Sequence, residues 1–126
     1  MTTGTTPSNQ TGWPHPESLD ALIAAPDHHT LLMENESVRV LSTLIAPGDT
    51  TPIHTHKWHR VFYIQSWSAC IQRDDKGGVI VDTRRVPELA DPAKAMWVEP
   101  GHPHSVENVG DKDLWLIAVE IKNTAG

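Results

Sequence analysis

From Thr30 to Ile121 the chain is a series of short apolar stretches, broken about every eight to twelve residues by Gly, Pro, Asp or Asn. That rhythm predicts an all-β sandwich or barrel. Strands are expected over residues 30–33, 37–45, 53–56, 60–66, 69–73, 79–82, 95–98, 104–107 and 114–121. Turn residues sit between them at Pro47-Gly48-Asp49, at 74–78, at Pro100-Gly101 and at 108–111. The last stretch, LWLIAVEI, is apolar on both parities, so both of its faces should be covered, the outer one by a second sheet or a partner subunit. Residues 83–94 carry two prolines and five charges and read as a surface excursion. Before the strands, residues 17–25 fit two helical turns with Ser18 as N-cap and Pro26 as the stop. Residues 1–16 are Thr, Gly, Pro and Ser with no apolar period, which predicts a flexible arm ahead of a single β-barrel domain spanning 17–126.

The composition narrows the class of protein. A chain of 126 residues and 13.9 kDa is one domain, and 38% hydrophobic residues are enough to bury a core. A formal net charge of −6 offers no basic footprint for a phosphate backbone, so no nucleic-acid partner is expected. No apolar run approaches the roughly 18 residues of a membrane span, and the start lacks the pattern of a secretory signal, so neither membrane insertion nor classical secretion is expected. The single Cys70 cannot form an intramolecular disulfide, which fits a cytoplasmic protein. Eight histidines are the compositional oddity.

Two segments gather those histidines: Gly48-Asp-Thr-Thr-Pro-Ile-His54-Thr-His56-Lys-Trp-His59 and Pro100-Gly101-His102-Pro103-His104-Ser-Val-Glu-Asn108. Residues i and i+2 of an extended segment share one face about 7 Å apart, so His54 and His56 can converge on one divalent ion. His104, just past a Pro-Gly turn, is the best third ligand, and the far side of such an ion would stay open to water or substrate. A His-x-His pair alone is weak evidence, since eight histidines in a chain of this length yield about 0.5 such pairs by chance. The joint pattern carries the argument.

Gly48-x5-His54-x-His56 and Gly101-x2-His104-x3-Asn108 resemble motifs one and two of the cupin superfamily. The resemblance covers roughly residues 36–121 and implies a double-stranded β-helix, often dimeric, with the motif residues lining its interior. Cupin activities are diverse, so the fold leaves the reaction open. The first motif normally continues with a Glu four or five residues after the second His, where this chain has Arg60 and Val61. The remaining His54, His56 and His104 resemble the three-histidine iron sites of cupin dioxygenases that act on thiols and diketones. Three neutral imidazoles leave the charge of a divalent ion uncancelled and favour an anionic, chelating substrate.

Arg60 has three readings. Its strand parity matches His54 and His56 and points it inward, where an unpaired guanidinium is costly. It meets a substrate carboxylate, or it pairs with Glu120, the charge in the last apolar strand, or a bulge at 58–60 turns it outward and brings His59 in as a fourth ligand. Tyr63, on the opposite parity, is by default a packing residue, with proton donation as its functional alternative. His28 and His29 read as loop residues at the start of the first strand, His102 as a residue of the barrel mouth, Trp97 as core or pocket wall, and Cys70 as a small buried hydrophobe.

The sequence thus predicts a metal-binding barrel, a homodimer, with His54, His56 and His104 as metal ligands and Arg60, His59 and Tyr63 as candidate catalytic residues. Iron is the favoured metal, with zinc, nickel, manganese or copper also accepted by imidazole. The leading activity is an oxygen-dependent dioxygenase acting on a small anionic ligand. The alternatives are a non-catalytic metabolite- or metal-binding module and a metal-assisted isomerase or decarboxylase, the last requiring Glu107, Glu120 or Tyr63 inside the barrel.

Overall fold

The computed structural model describes residues 13–122, so most of the expected N-terminal arm lies outside the described residues. Eight strands follow one short helix: α1 (Ala21–Ala24), then β1 (His29–Glu34), β2 (Val38–Ile45), β3 (Arg60–Ser66), β4 (Cys70–Asp74), β5 (Val79–Asp82), β6 (Ala95–Val98), β7 (His104–Asn108) and β8 (Leu114–Ile121). Eight of the nine expected strands are present, within a residue or two of the expected bounds. The exception is 53–56, where His54 and Thr55 form only single bridges, to His104 and Asp20 respectively.

The strands form two antiparallel sheets, a five-stranded one in the order β1-β2-β8-β3-β6 and a three-stranded one in the order β5-β4-β7. β8 is the central strand of the larger sheet, and burial alternates along it. Leu114, Leu116, Ala118 and Glu120 face inward and are buried, while Trp115, Ile117, Val119 and Ile121 face outward. Ile45, Ile64, Cys70, Leu114 and Leu116 form the buried core, with Phe62, Trp67, Met96 and Val106 packed against it. The outer face of the larger sheet is less covered than its apolar character suggested, with Leu44, Tyr63, Trp97 and Trp115 exposed.

Two motif residues have structural duties. Gly48 turns at φ 83°, in the left-handed region that favours glycine, and its N–H donates to Asn108 O. Asn108 is fully buried. Its amide donates to Ile45 O and Lys112 O, and its oxygen accepts from Ser68 Oγ and the Gly110 N–H. All four hydrogen-bonding positions of that side chain are filled, which fixes the β7–β8 turn to the end of β2.

The region before β1 departs from expectation. A 3₁₀ turn at Glu17–Leu19 precedes the four-residue α1, and the cap is Asp20, which accepts from the Leu22 N–H, rather than Ser18. Trp13, at the end of the expected arm, is buried, with Lys57 Nζ 5.2 Å from its ring. The 83–94 excursion contains two 3₁₀ turns and is tied to the body by a Trp67 Nε1 bond to Leu89 O. No helix among the described residues is long and apolar enough to cross a membrane.

Candidate metal centre

Hydrogen bonds between backbones assemble the histidines. His54 and His104 exchange both N–H···O bonds at 2.9 Å, a directly opposed antiparallel pair, so their side chains project together with ring centroids 4.7 Å apart. Thr55 points the other way, its Oγ1 donating to Gly101 O, which leaves His56 on the face of His54 at 5.3 Å between centroids. The i, i+2 rule therefore holds although no regular strand forms there. A fourth ring joins them. His29, the first residue of β1, pairs with inward-facing Thr43 and is buried, with its centroid 4.7 Å from His54 and 5.7 Å from His56.

Each ring is oriented from behind. His29 Nδ1 bonds Ala25 O at 3.0 Å, His54 Nδ1 bonds Pro52 O at 2.9 Å, and His104 Nδ1 bonds His102 O at 2.7 Å. His56 Nδ1 bonds Glu120 Oε2 at 2.9 Å. These oxygens only accept, so each Nδ1 carries the proton and each neutral ring keeps its lone pair on Nε2. Burial holds the rings neutral: it lowers His29 to about 4 and His54 to about 3, and holds His56 well below the usual histidine range and His104 below it. Neutral imidazoles with fixed orientation are what a divalent transition metal requires.

The residues placed to hold a metal overlap the expected set only in part, sharing His54 and His56 with it. His29, His54 and His56 each offer a ligand atom within 4.8 Å of the others, and this trio is tighter than one containing His104, whose ring is 6.1 Å from that of His56. His29 was missed because its only sequence signal was its place at the head of a short strand; its inward direction follows from pairing with β2. His59 is corrected. It is exposed and stacked against Trp97 at 5.4 Å, so it is not a fourth ligand. Tyr63 is also corrected, being exposed on the outer face, and the pocket-wall reading of Trp97 fails for the same reason.

Behind the histidines lies a buried ionic network. Glu120 gives one oxygen to His56 and the other to Arg39 Nε, and Arg39 Nη1 and Nη2 bond both oxygens of Asp20 at 3.0 and 2.8 Å. The segment around α1 thus supports the site twice, through Asp20 and through Ala25 O. Arg60 points inward, which rules out the outward bulge, but it does not pair with Glu120, although the two are cross-strand neighbours in β3 and β8. Its Nε and Nη1 are buried with no hydrogen-bond partner among the described residues. The Phe62 ring lies 5.0 Å from the centre of its guanidinium. The histidines and Arg60 line a cavity of about 230 Å³ together with mainly apolar residues of both sheets and the polar side chains of Thr43, Thr51, Gln72 and Thr83.

The architecture has known counterparts. A cupin domain from Bordetella pertussis superposes with a TM-score of 0.57 at 20% identity, covering 75% of this chain and 92% of that one. The chain has the cupin fold. An RmlC-like cupin from Methanocaldococcus jannaschii matches at 0.52 and 12% identity, over 74% of this chain and 77% of that one. An uncharacterised double-stranded β-helix protein from Klebsiella pneumoniae matches at 0.53 and 14% identity, over 99% of this chain and 95% of that one. No family model and no curated protein matches the sequence. Arg60 stands four residues after His56, and of the two buried carboxylates, Asp20 and Glu120, it is Glu120 that stands behind His56.

Proposed function

We propose that this cupin is a metal-dependent enzyme acting on a small anionic substrate that chelates the ion, with iron and oxygen-dependent cleavage as the preferred chemistry. One observation carries the reading: the buried, neutral imidazoles of His29, His54 and His56 bring ligand atoms within 4.8 Å of one another, with the His104 ring 4.7 Å from that of His54, at the wall of a largely apolar cavity. A divalent ion held there would supply a Lewis-acidic centre and, as iron, the electrons for oxygen chemistry.

The protein's own part is orientation and exclusion. The Nδ1 bonds hold the rings without help from substrate, and Arg60 attracts negative charge to the same wall. The apolar side chains keep water from the reacting groups. Among the described residues, the three candidates that an isomerase or decarboxylase would use are not free: Tyr63 is outside, Glu107 is half-buried and paired with Arg73, and both oxygens of Glu120 are engaged. The same shortage favours the second reading, a module that binds a metabolite without turning it over.

The test is elemental analysis of protein purified without a polyhistidine tag or chelator, followed by oxygen-uptake assays with small thiols, diketones and keto acids. Near-stoichiometric iron with substrate-dependent uptake supports the enzyme. Metal without turnover supports the binding module, and failure to take up any added divalent metal refutes both metal readings.

A further inference from the structure

Among the described residues, four charged side chains are buried: Asp20, Arg39, Arg60 and Glu120. Their charges balance, but their hydrogen bonds do not, because Arg39 takes both carboxylates and Arg60 has neither. A guanidinium that is only 4% exposed, has two nitrogens without partners, and rests on one aromatic face is a costly feature for a fold to keep. Burial pushes Arg60 down to about 10, which still leaves it cationic at neutral pH.

The cavity defines what fits against it. Its volume of about 230 Å³ lies below the roughly 300–1,000 Å³ of pockets for drug-sized ligands, so the occupant is small. Away from Arg60 and the histidines its walls are mainly apolar, Phe62, Trp67, Met96 and Leu116 among them, with Thr43, Thr51, Gln72 and Thr83 as the polar exceptions. Among the described residues, no lysine and no second arginine lines it, so a phosphate dianion would find one cation where it needs more. A carboxylate matches one planar guanidinium.

We propose that Arg60 is the anchor for the carboxylate of a short organic acid with an apolar tail, which lies among these side chains while the functional group next to the carboxylate faces the histidines. The part concerning the histidines rests on reading them as a metal centre. The part concerning Arg60 does not.

The experiment separates the two. Calorimetric titration of the intact, metal-stripped protein with 4-methylpentanoate and with the neutral isostere 4-methylpentanamide should show the acid binding at least tenfold tighter. Arg60→Met, close in volume and uncharged, should bring the acid to the level of the amide, and Arg60→Lys should fall between. The Arg60→Met variant should also melt no lower than the parent, since it removes an unpaired buried charge. Equal affinity for acid and amide in the parent protein overturns the proposal even if Arg60→Met does not fold, as does Arg60→Met binding the acid as tightly as the parent. With metal restored, 4-methyl-2-oxopentanoate should bind more tightly still. Absence of that added gain, with the acid preference intact, overturns the metal reading and leaves the Arg60 anchor standing.

Discussion

Replacing Glu120 by Gln probes the link between the buried ionic network and the metal centre. The substitution keeps the shape and removes one charge and one acceptor. The Gln oxygen can face Arg39 Nε or His56 Nδ1, but not both. If it faces His56, the amide nitrogen meets the Arg39 Nε–H, donor against donor, in a site with no exposure. If it faces Arg39, the amide donates to His56 Nδ1, which must then lose its proton to Nε2, the atom the metal needs. An unsatisfied buried donor costs about 1–3 kcal/mol, and Arg39 keeps its two bonds to Asp20, so we expect a loss of about 2 kcal/mol in the metal-free protein. The disturbed ring should weaken metal binding by about 10–100-fold.

Urea unfolding of the stripped protein measures the first effect, and competition with a chromophoric chelator measures the second. Asp20→Asn is the control, because it leaves the Asp20 backbone and the helix cap in place and its carboxylate reaches Glu120 through Arg39: stability should fall while metal affinity stays within about threefold. Glu120→Gln with unchanged metal affinity would refute the claim that the carboxylate sets the His56 tautomer. An equal loss of affinity in Asp20→Asn would show instead that both act through general loosening of the barrel.

Other consequences are simpler to check. Burial lowers His29 to about 4 and His54 to about 3, below the ordinary histidine value of about 6.5, so the unfolded chain binds more protons as pH falls from about 6.5 toward 4. The stripped protein should therefore lose stability across that window, by roughly 3 kcal/mol for His29 alone, and a flat melting temperature between pH 7 and 4.5 would contradict the neutral cluster. Burial pushes the Cys70 thiol up to about 11, which at pH 8 leaves roughly a hundredfold less thiolate than an unperturbed cysteine; iodoacetamide should label it slowly until the protein unfolds. Leu44 and Trp115 are cross-strand neighbours on the exposed outer face, and we propose that a second copy covers them. Sedimentation equilibrium should then report a dimer that Trp115→Glu converts to a monomer, and a monomeric parent would exclude it.

The strands were legible because their information is local. Short apolar stretches between turn residues gave four of them, β3, β5, β6 and β8, with their observed bounds, since a strand's apolar run and its stops are written within its own residues. His54, His56 and His104 were legible for a similar reason, as extended i, i+2 spacing and a turn place them whether or not a ladder forms around 53–56. His29 was not. Its direction depends on which residue of β2 it meets, a register fixed about fourteen residues later and shifted by a bulge between Leu31 and Met33.

Arg60 shows where parity stops being enough. Alternation sends it inward, but its partner depends on a competition that its own strand does not record. Arg39, on β2, and Arg60, on β3, both flank Glu120 on β8 between them, and either could have taken that carboxylate. Asp20 decides the outcome by holding Arg39 from the far side through two bonds, so that Arg39 bridges two carboxylates, and Glu120 has its second oxygen committed to His56. A residue in a two-turn segment ahead of the barrel thereby frees a cation on the cavity wall. On this logic Asp20 is as much a determinant of ligand charge as Arg60 itself: weakening its hold should let Arg39 and Arg60 share Glu120, reducing the acid preference of the cavity without touching a residue that lines it.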